Sequence, residues 1–140
     1  MYCTRQDLVD RIGEGLLTEV SDLERTGVAS EARVQQACED STAEIDSAVA
    51  ERYTTPLAPV PVLIRSLCVD LAVSRLFAAR GYNKDSADST HADAAKNARD
   101  LLILIARGQR LLGATRPQKD LGASVQASGR LFGRDKMKGF

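Results

Sequence analysis

Apolar residues recur at helical spacing through most of residues 1–107, and this pattern predicts three long helices. The first is predicted near 30–52, with the Ser30 hydroxyl capping its first turn. The second is predicted near 61–80 and ends before Gly81, because glycine is typical of the position after a helix. Apolar side chains cover more than one side of this second helix, so we expect it to lie at the centre of a bundle.

The third long helix is predicted near 90–107, with Ser89 or Thr90 as its cap. Two short helices are expected before the long ones, one capped by Thr4 and one over 15–23. Alternation of the kind that marks strands is weak along the whole chain. The predicted fold class is therefore all-α, a small bundle of three long helices preceded by short N-terminal helices.

The residues expected to face the core share this helical spacing. In the short helix over 15–23 and the first long helix they are Leu16, Leu17, Val20, Leu23, Val34, Ala37, Cys38, Ile45, Ala48 and Val49. In the second and third long helices they are Val62, Leu63, Ile64, Leu67, Cys68, Leu71, Ala72, Leu76, Phe77, Ala94, Ala95, Ala98, Leu101, Leu102 and Ile105.

The segment over 54–61, TTPLAPVP, separates the first two long helices. Its three prolines exclude a helix interior, and each biases the residue before it towards extended geometry. We therefore expect a stiff corner, with Pro61 as the first residue of the next helix, where its missing N–H costs nothing.

Charge divides the chain into two parts. Residues 108–140 carry seven Lys/Arg against two acids, whereas residues 1–107 carry twelve against seventeen. The second part also holds six of the ten glycines and shows no long apolar period. We therefore predict a helical body over 1–107 and an extended basic C-terminal arm over 108–140. Short strand-like stretches at 124–126 and 130–132 would pair only with another molecule.

The outer face of the first long helix is acidic. Two interpretations are open for it: a solvated helix surface, or an electrostatic role in a channel or an interface. The residues of this predicted acidic face are Glu31, Glu39, Asp40, Glu44, Asp46 and Glu51.

Catalytic chemistry has little support in the sequence. The single histidine, His91, accompanies no nucleophile motif and is expected to be an ordinary surface residue, and the glycines form no phosphate-binding pattern. Glu44 and Asp46 are two residues apart on a helix, so they point in different directions and cannot pair as acid and base. We therefore predict no catalytic residue, no cofactor and no metal site, and a protein that is not an enzyme.

The three cysteines, Cys3, Cys38 and Cys68, are widely spaced and form no CxxC pair. Cys38 and Cys68 fall on apolar helix faces, where a cysteine is most simply a small buried hydrophobe. No apolar run approaches the ~20 residues of a membrane span, and the N-terminus does not read as a secretory signal. We expect no membrane contact and a location in the cytosol, unless the chain is built into a larger assembly.

The basic ending, RLFGRDKMKGF, allows three interpretations: a solvated tail, a nucleic-acid-binding tail or a docking segment. Aromatic residues are too few for a typical nucleic-acid surface. Large apolar residues stand between the charges, and such residues on an arm without its own core generally need the surface of a partner. Docking is therefore the favoured interpretation.

Four stretches, in this order, carry a resemblance to a known family. They are MYCTRQDLVDRIGE, STAEIDSAVAERYTTPLAPVP, LIRSLCVDLAVSRLF and RLFGRDKMKGF. Together they resemble the Mu-like prophage family of small head–tail connector proteins of tailed phages. The corner ERYTTPLAPVP followed by the apolar helix is the most specific part, whereas 82–90 and 108–127 provide no usable match.

This resemblance implies a structural role at the vertex of a phage head. Similar adaptors form a ring, usually of twelve subunits, beneath the portal; they complete the packaged head and provide the platform for tail attachment. Their C-terminal segment docks onto the portal or an adjacent subunit. The matching residues here are Arg130, Leu131, Phe132, Arg134, Lys136, Met137, Lys138 and Phe140.

The resemblance further implies the partners and the location. The expected partners are the portal protein, other copies of this chain, and a neck or tail-terminator protein on the tail side. Packaged DNA would pass through the lumen without sequence-specific binding. An acidic helix at 30–52 would suit such a lumen, a placement that we infer from its charge and that the family does not establish. We expect assembly in the host cytoplasm and a final place in the virion neck. The alternative is a small nucleic-acid-binding or regulatory protein that uses the basic tail.

Overall fold

The computed structural model describes residues 1–81, 83 and 86–113, and these form five α-helices with no strand. The helices are α1 (Arg5–Ile12), α2 (Glu14–Ser21), α3 (Glu31–Val49), α4 (Val62–Arg80) and α5 (Asp88–Ala106). Three of them are 19 residues long and two are 8 residues long. The prediction of an all-α bundle with three long and two short helices is confirmed.

Helix α4 lies at the centre and contacts all four other helices. Its apolar side chains occupy several faces, so a single neighbour cannot cover them. Helices α3 and α5 cover most of the surface, and α1 and α2 cover the remainder. The buried residues of α4 are Ile64, Leu67, Cys68, Val69, Leu71, Ala72, Val73, Leu76 and Phe77. The predicted central position of this helix is confirmed.

Helices α3 and α5 bury the predicted stripes. All the predicted core positions of these two helices are buried except Ala48, Ala94 and Leu101, which are half-buried. Ser41 is a buried polar residue within the stripe of α3. Its hydroxyl donates a hydrogen bond of 2.7 Å to the carbonyl of Ala37, so the polar group is satisfied within the helix.

The caps of the helices differ in part from the prediction. At α1, Thr4 forms the predicted cap: its side chain accepts from the Asp7 N–H, and the Asp7 carboxylate accepts from the Thr4 N–H at 2.8 Å. At α3, the Ser30 hydroxyl makes no cap; the Ser30 N–H instead donates to Ser21 Oγ at 3.2 Å. The prediction of a Ser30 cap was wrong because Ser30 is tied to the end of α2.

Two helix boundaries also differ from their predicted positions. Helix α3 ends at Val49, before the predicted residue 52, because the N–H groups of Arg52 and Tyr53 both donate to the Val49 carbonyl and bring Tyr53 into the core. Helix α5 begins at Asp88, so neither Ser89 nor Thr90 is its cap.

Three predicted positions at helix ends are also corrected. Leu23 is exposed because α2 ends at Ser21 and the chain leaves the helical period there. Val62 is 84% exposed because it is the first residue of α4 and precedes the packed turns. Pro61 occupies the cap position of α4, one residue before the predicted place, and its missing N–H is equally harmless there.

The N-terminal segment, residues 1–3, packs into the bundle through Tyr2. The Tyr2 N–H donates to Thr42 Oγ1 on α3 at 3.1 Å, and the Tyr2 hydroxyl donates to the Asp46 carboxylate. The same hydroxyl accepts the N–H of Leu57 in the proline corner at 2.8 Å. One side chain therefore connects the N-terminus, α3 and the corner. Burial and the hydrogen bond to Asp46 raise the pKa of Tyr2 to about 12.

Replacing Leu67 by Asp should unfold the body, because Leu67 is 4% exposed and the new carboxylate would be buried without a partner. The expected cost is about 4 kcal/mol or more, measured by chemical denaturation. Val62→Asp, on the same helix but exposed, is the matched control and should change stability by less than about 0.5 kcal/mol. A Leu67→Asp protein that unfolds at the wild-type denaturant concentration would contradict the central position of α4.

Replacing Tyr2 by Phe should cost about 2 kcal/mol near pH 7, because the Leu57 N–H and Asp46 lose their partner. A raised pKa in the folded state means that this stabilisation is complete below pH 10 and declines between pH 10 and 12. The difference between wild type and variant should therefore shrink by about 1 kcal/mol at pH 11.

The control for this variant is Tyr53→Phe. The Tyr53 hydroxyl accepts one longer bond, from the Leu112 N–H at 3.4 Å, so its loss should cost less than about 1 kcal/mol near pH 7. A Tyr2→Phe deficit that stays constant from pH 8 to 11 would refute the role assigned to the Tyr2 hydroxyl.

Candidate assembly surface

The residues predicted to dock on a partner lie outside the described part of the chain. They are Arg130, Leu131, Phe132, Arg134, Lys136, Met137, Lys138 and Phe140. The strand-like stretches at 124–126 and 130–132 lie outside it as well. Docking by these residues remains a prediction. The described structure shows where the chain leaves the helical body on its way to them.

The arm begins at the end of the bundle where α3 ends, α4 begins and α5 ends. Arg52 Nε donates to the Ala106 carbonyl at 3.0 Å and so connects the ends of α3 and α5. Leu112 is buried, and its N–H donates to the Tyr53 hydroxyl at 3.4 Å. The chain therefore stays packed against the body through Leu112, five residues beyond the predicted boundary at 107; the division into body and arm remains a prediction.

Exposed apolar side chains accompany this end of the bundle. Ile103 and Leu104 are exposed near the C-terminus of α5, and Leu111 is 64% exposed where the chain leaves the body. Val62 is exposed at the start of α4, which lies at the same end. We call these four residues the arm-end surface. The sequence pattern missed it because helical spacing identifies the buried stripe of α5 and says nothing about apolar residues beside it.

The six predicted acidic residues do not share one free face. Glu31 pairs with Arg5 at 2.8 Å. Glu44 lies half-buried between Arg75 and Arg99, at 2.5 and 2.7 Å, and Asp46 accepts the Tyr2 hydroxyl. Glu44 and Asp46 therefore connect parts of the body, whereas the Glu31 carboxylate remains exposed.

The other three carboxylates, Glu39, Asp40 and Glu51, are exposed. Glu39 and Asp40 accept hydrogen bonds of 2.7 Å from the side chains of Gln35 and Gln36 on their own helix. Together with Glu31, these three acids form the part of the predicted acidic face that remains open to solvent. A role at a channel remains a prediction for them.

The Glu44 carboxylate stays ionised because of its two arginines. Burial opposes ionisation, but the pairs with Arg99 and Arg75 outweigh it, and the pKa of Glu44 falls below its usual value. The network joins α3, α4 and α5, the three long helices. Glu44 is therefore a structural residue of the bundle.

His91 is a packing residue. Its ring stacks on Phe77 with centroids 4.4 Å apart, and Arg80 lies over the same Phe77 ring at 5.2 Å. The histidine is half-buried in the first turn of α5, so the expectation of an ordinary surface residue is corrected. The contact with Phe77 spans the loop between α4 and α5, which spacing along the sequence does not reveal.

An open pocket of about 580 Å³ lies beside α2 and the end of α4. Three of its charged residues have partners: Glu19 pairs with Arg80, and Asp22 accepts the N–H groups of Thr26 and Gly27 at 2.9 and 2.6 Å. Those backbone bonds lower the pKa of Asp22. The Asp22 carboxylate holds the loop beside the pocket closed. The pocket lining contains no nucleophile beside a general base.

Metal and membrane chemistry can be assessed only over the described ranges. Residues 1–81, 83 and 86–113 hold no group of three or more His, Cys, Asp or Glu arranged to bind a metal ion. In this same part of the chain, no helix combines the length and apolarity needed to cross a bilayer. All three cysteines are free and buried, which confirms the expectation for Cys38 and Cys68 and adds Cys3.

Comparison with known proteins identifies the family. The family described as Bacteriophage Mu, Gp36 matches residues 2–130, which is nearly the whole chain. The Mu-like prophage FluMu protein gp36 of Haemophilus influenzae is 29% identical over 144 aligned positions, covering 100% of this chain and 98% of the relative. The match therefore includes the body and most of the arm.

Replacing Glu44 by Gln should destabilise the body by about 1–2 kcal/mol at pH 7, because Arg75 and Arg99 lose their shared charge partner. A lowered pKa in the folded state means that this stabilisation is present above about pH 4.5 and is lost at lower pH. The deficit should therefore shrink as the pH falls below 4.5 in denaturation experiments. The control is Glu39→Gln, whose only change is at an exposed carboxylate; equal deficits for the two variants would contradict the network.

Proposed function

The chain belongs to the bacteriophage Mu Gp36 family, and from this premise we propose that it is a head–tail connector of a tailed phage. In this role, twelve copies form a ring beneath the portal, complete the packaged head and provide the platform for tail attachment. The partners would be the portal protein, neighbouring copies of the chain and a neck or tail-terminator protein.

The arm-end surface is the observation that carries this proposal. Val62, Ile103, Leu104 and Leu111 leave apolar area exposed at this end of the bundle, and the other exposed large apolar residues of the described chain are Met1, Leu23 and Val28. The basic arm begins at this same end. Exposed apolar area grouped with an extension that carries further apolar residues is typical of a protein that assembles with others.

Charge supports contacts between copies of the chain. The predicted body has an excess of five acids and the predicted arm an excess of five bases. Part of the acidity of the body remains open at Glu31, Glu39, Asp40 and Glu51, whereas Glu44 is engaged by two arginines. An arm that reaches a neighbouring body would therefore meet complementary charge.

The length of the arm is sufficient for this contact. The 28 residues beyond the packed Leu112, 113–140, span on the order of 100 Å when fully extended, far more than the radius of a body of this size. In a closed ring, each arm is held near its acceptor, so weak contacts act at a high effective concentration. Exposed acids at the lumen would keep packaged DNA from binding tightly.

Deleting residues 128–140 should leave the helical body folded and should abolish the joining of heads to tails. The reason is that the deletion removes every residue of the proposed docking motif and none of the described residues. Circular dichroism would measure the fold, and electron microscopy with infectious titre would measure assembly in the phage that encodes the chain. Complete particles with normal titre from the truncated chain would refute arm docking.

Within the arm, Phe132→Ala and Phe140→Ala should each weaken binding to the portal or to the ring through the loss of an apolar anchor. Arg134→Glu should weaken binding more at low salt than at high salt, because exposed charges are screened. The matched control is Arg116→Glu, which makes the same charge change outside the docking motif. Equal loss for the two arginine variants would indicate a nonspecific effect of charge.

Removal of the arm separates a connector from a nucleic-acid-binding protein. A nucleic-acid-binding tail would give a salt-dependent shift of DNA that disappears when 116–140 is removed. It would also leave particle assembly intact. This pair of results would support the alternative function and refute the connector.

A further inference from the structure

Two buried thiols from distant parts of the chain meet in the core. Cys3 Sγ and Cys68 Sγ are 2.9 Å apart, and the two residues are 1% and 0% exposed. Cys3 belongs to the N-terminal segment, and Cys68 lies in the middle of α4. Thr42 Oγ1 on α3 lies 3.7 Å from Cys68 Sγ. No residue of the proposed arm-end surface belongs to this cluster, so it serves some other purpose than docking.

We propose that Cys3 and Cys68 are a redox site, at which a peroxide converts the two thiols to an intramolecular disulfide. One thiolate attacks a peroxide oxygen, giving a sulfenic acid and, with hydrogen peroxide, one water. The second thiol then displaces the sulfenic oxygen as a second water, and the S–S bond forms. Two thiols and one hydrogen peroxide give one disulfide and two waters, so atoms and electrons balance.

The Sγ–Sγ contact of 2.9 Å favours Cys3 and Cys68, and the Cys38 thiol, which also interacts with Cys3, is the competing partner. A disulfide requires the two sulfurs to approach by about 0.9 Å more, to 2.05 Å. Cys3 lies in a non-helical segment that precedes α1, so a small backbone adjustment can supply this movement. Cys38 and Cys68 both lie inside packed helices, where the same movement would displace a whole helix.

Access to the buried thiols requires only a local opening. Cys3 lies in the non-helical segment before α1, and Met1 in the same segment is exposed. Tyr2 holds the segment through hydrogen bonds to Thr42, Asp46 and Leu57. A non-helical segment held by a few hydrogen bonds opens more readily than a bundle unfolds. In the closed state, hydrogen bonding to the Cys38 and Cys68 thiols together with burial raises the pKa of Cys3, so reaction occurs from the opened segment.

The disulfide would tie the N-terminal segment permanently to α4. It would close a loop of more than sixty residues that includes α1, α2 and α3. A cross-link over such a loop restricts the unfolded chain and should raise the melting temperature by about 10 °C. The reducing host cytosol would keep the thiols free, and oxidation would follow release of the particle. This timing rests on the proposed function, whereas the chemistry does not.

The test is a peptide map of the purified chain after treatment with hydrogen peroxide and alkylation without a reductant. Trypsin places the three cysteines in separate peptides, 1–5, 34–52 and 66–75. We expect mass spectrometry to find peptide 1–5 linked to peptide 66–75 in a monomer, and the link to disappear with dithiothreitol. Free thiols in all three peptides after peroxide, a link to peptide 34–52, or only intermolecular links would each overturn the proposal.

Cysteine variants test the result of the peptide map and do not require phage assembly. Cys38→Ala should keep the link and the rise in melting temperature of about 10 °C on oxidation. Cys3→Ala should lose both, and because it removes a side chain near the N-terminus it leaves the three long helices intact. A melting temperature that rises equally in Cys3→Ala would contradict the assignment. Neither measurement involves phage particles, so failure here is distinct from failure of the connector role.

Discussion

The burial of α4 is the constraint on which the rest of the structure depends. A helix with apolar residues on several faces cannot be stable beside a single neighbour, because every uncovered face leaves apolar area in water. This chain covers α4 with α3 and α5 along its length and with α1 and α2 on the remaining surface. The proline corner between Val49 and Val62 then reverses the chain, so that α3 can lie against α4.

Polar contacts within this packing fix the order of the outer elements. Tyr2 connects the N-terminal segment to α3 and the corner, and Glu44 connects α3 to α4 and α5. Tyr2 is buried and Glu44 is half-buried, and their hydrogen-bond and ion-pair partners come from distant parts of the chain. Removing one partner therefore leaves the other unsatisfied. Several acids that a helical wheel assigns to the surface are therefore part of the scaffold. Of the six acids predicted for the outer face of the first long helix, those that stay open to solvent are Glu31, Glu39, Asp40 and Glu51.

The number, type and centre of the helices could be predicted, because helical spacing and the prolines are local signals. The details that failed depend on contacts between distant residues. Ser30 is an ordinary cap in its local sequence, but its N–H is held by Ser21. In the sequence, His91 is a lone polar residue. In the fold, α4 places Phe77 against its ring. The proposed docking residues, Arg130 to Phe140, could be selected from their mixture of charge and apolar side chains, but local patterns cannot identify the surface they contact.

We propose that the helical body forms a ring at the head–tail junction, held by arms that leave from the arm-end surface. An averaged electron cryo-microscopy map of the neck of the phage that encodes this chain would test this arrangement. We expect a closed ring of five-helix bodies between portal and tail, with density for each arm extending from Leu112 onto the portal or a neighbouring body. A neck map with no place for this fold, or a ring in which the arms contact nothing, would contradict it.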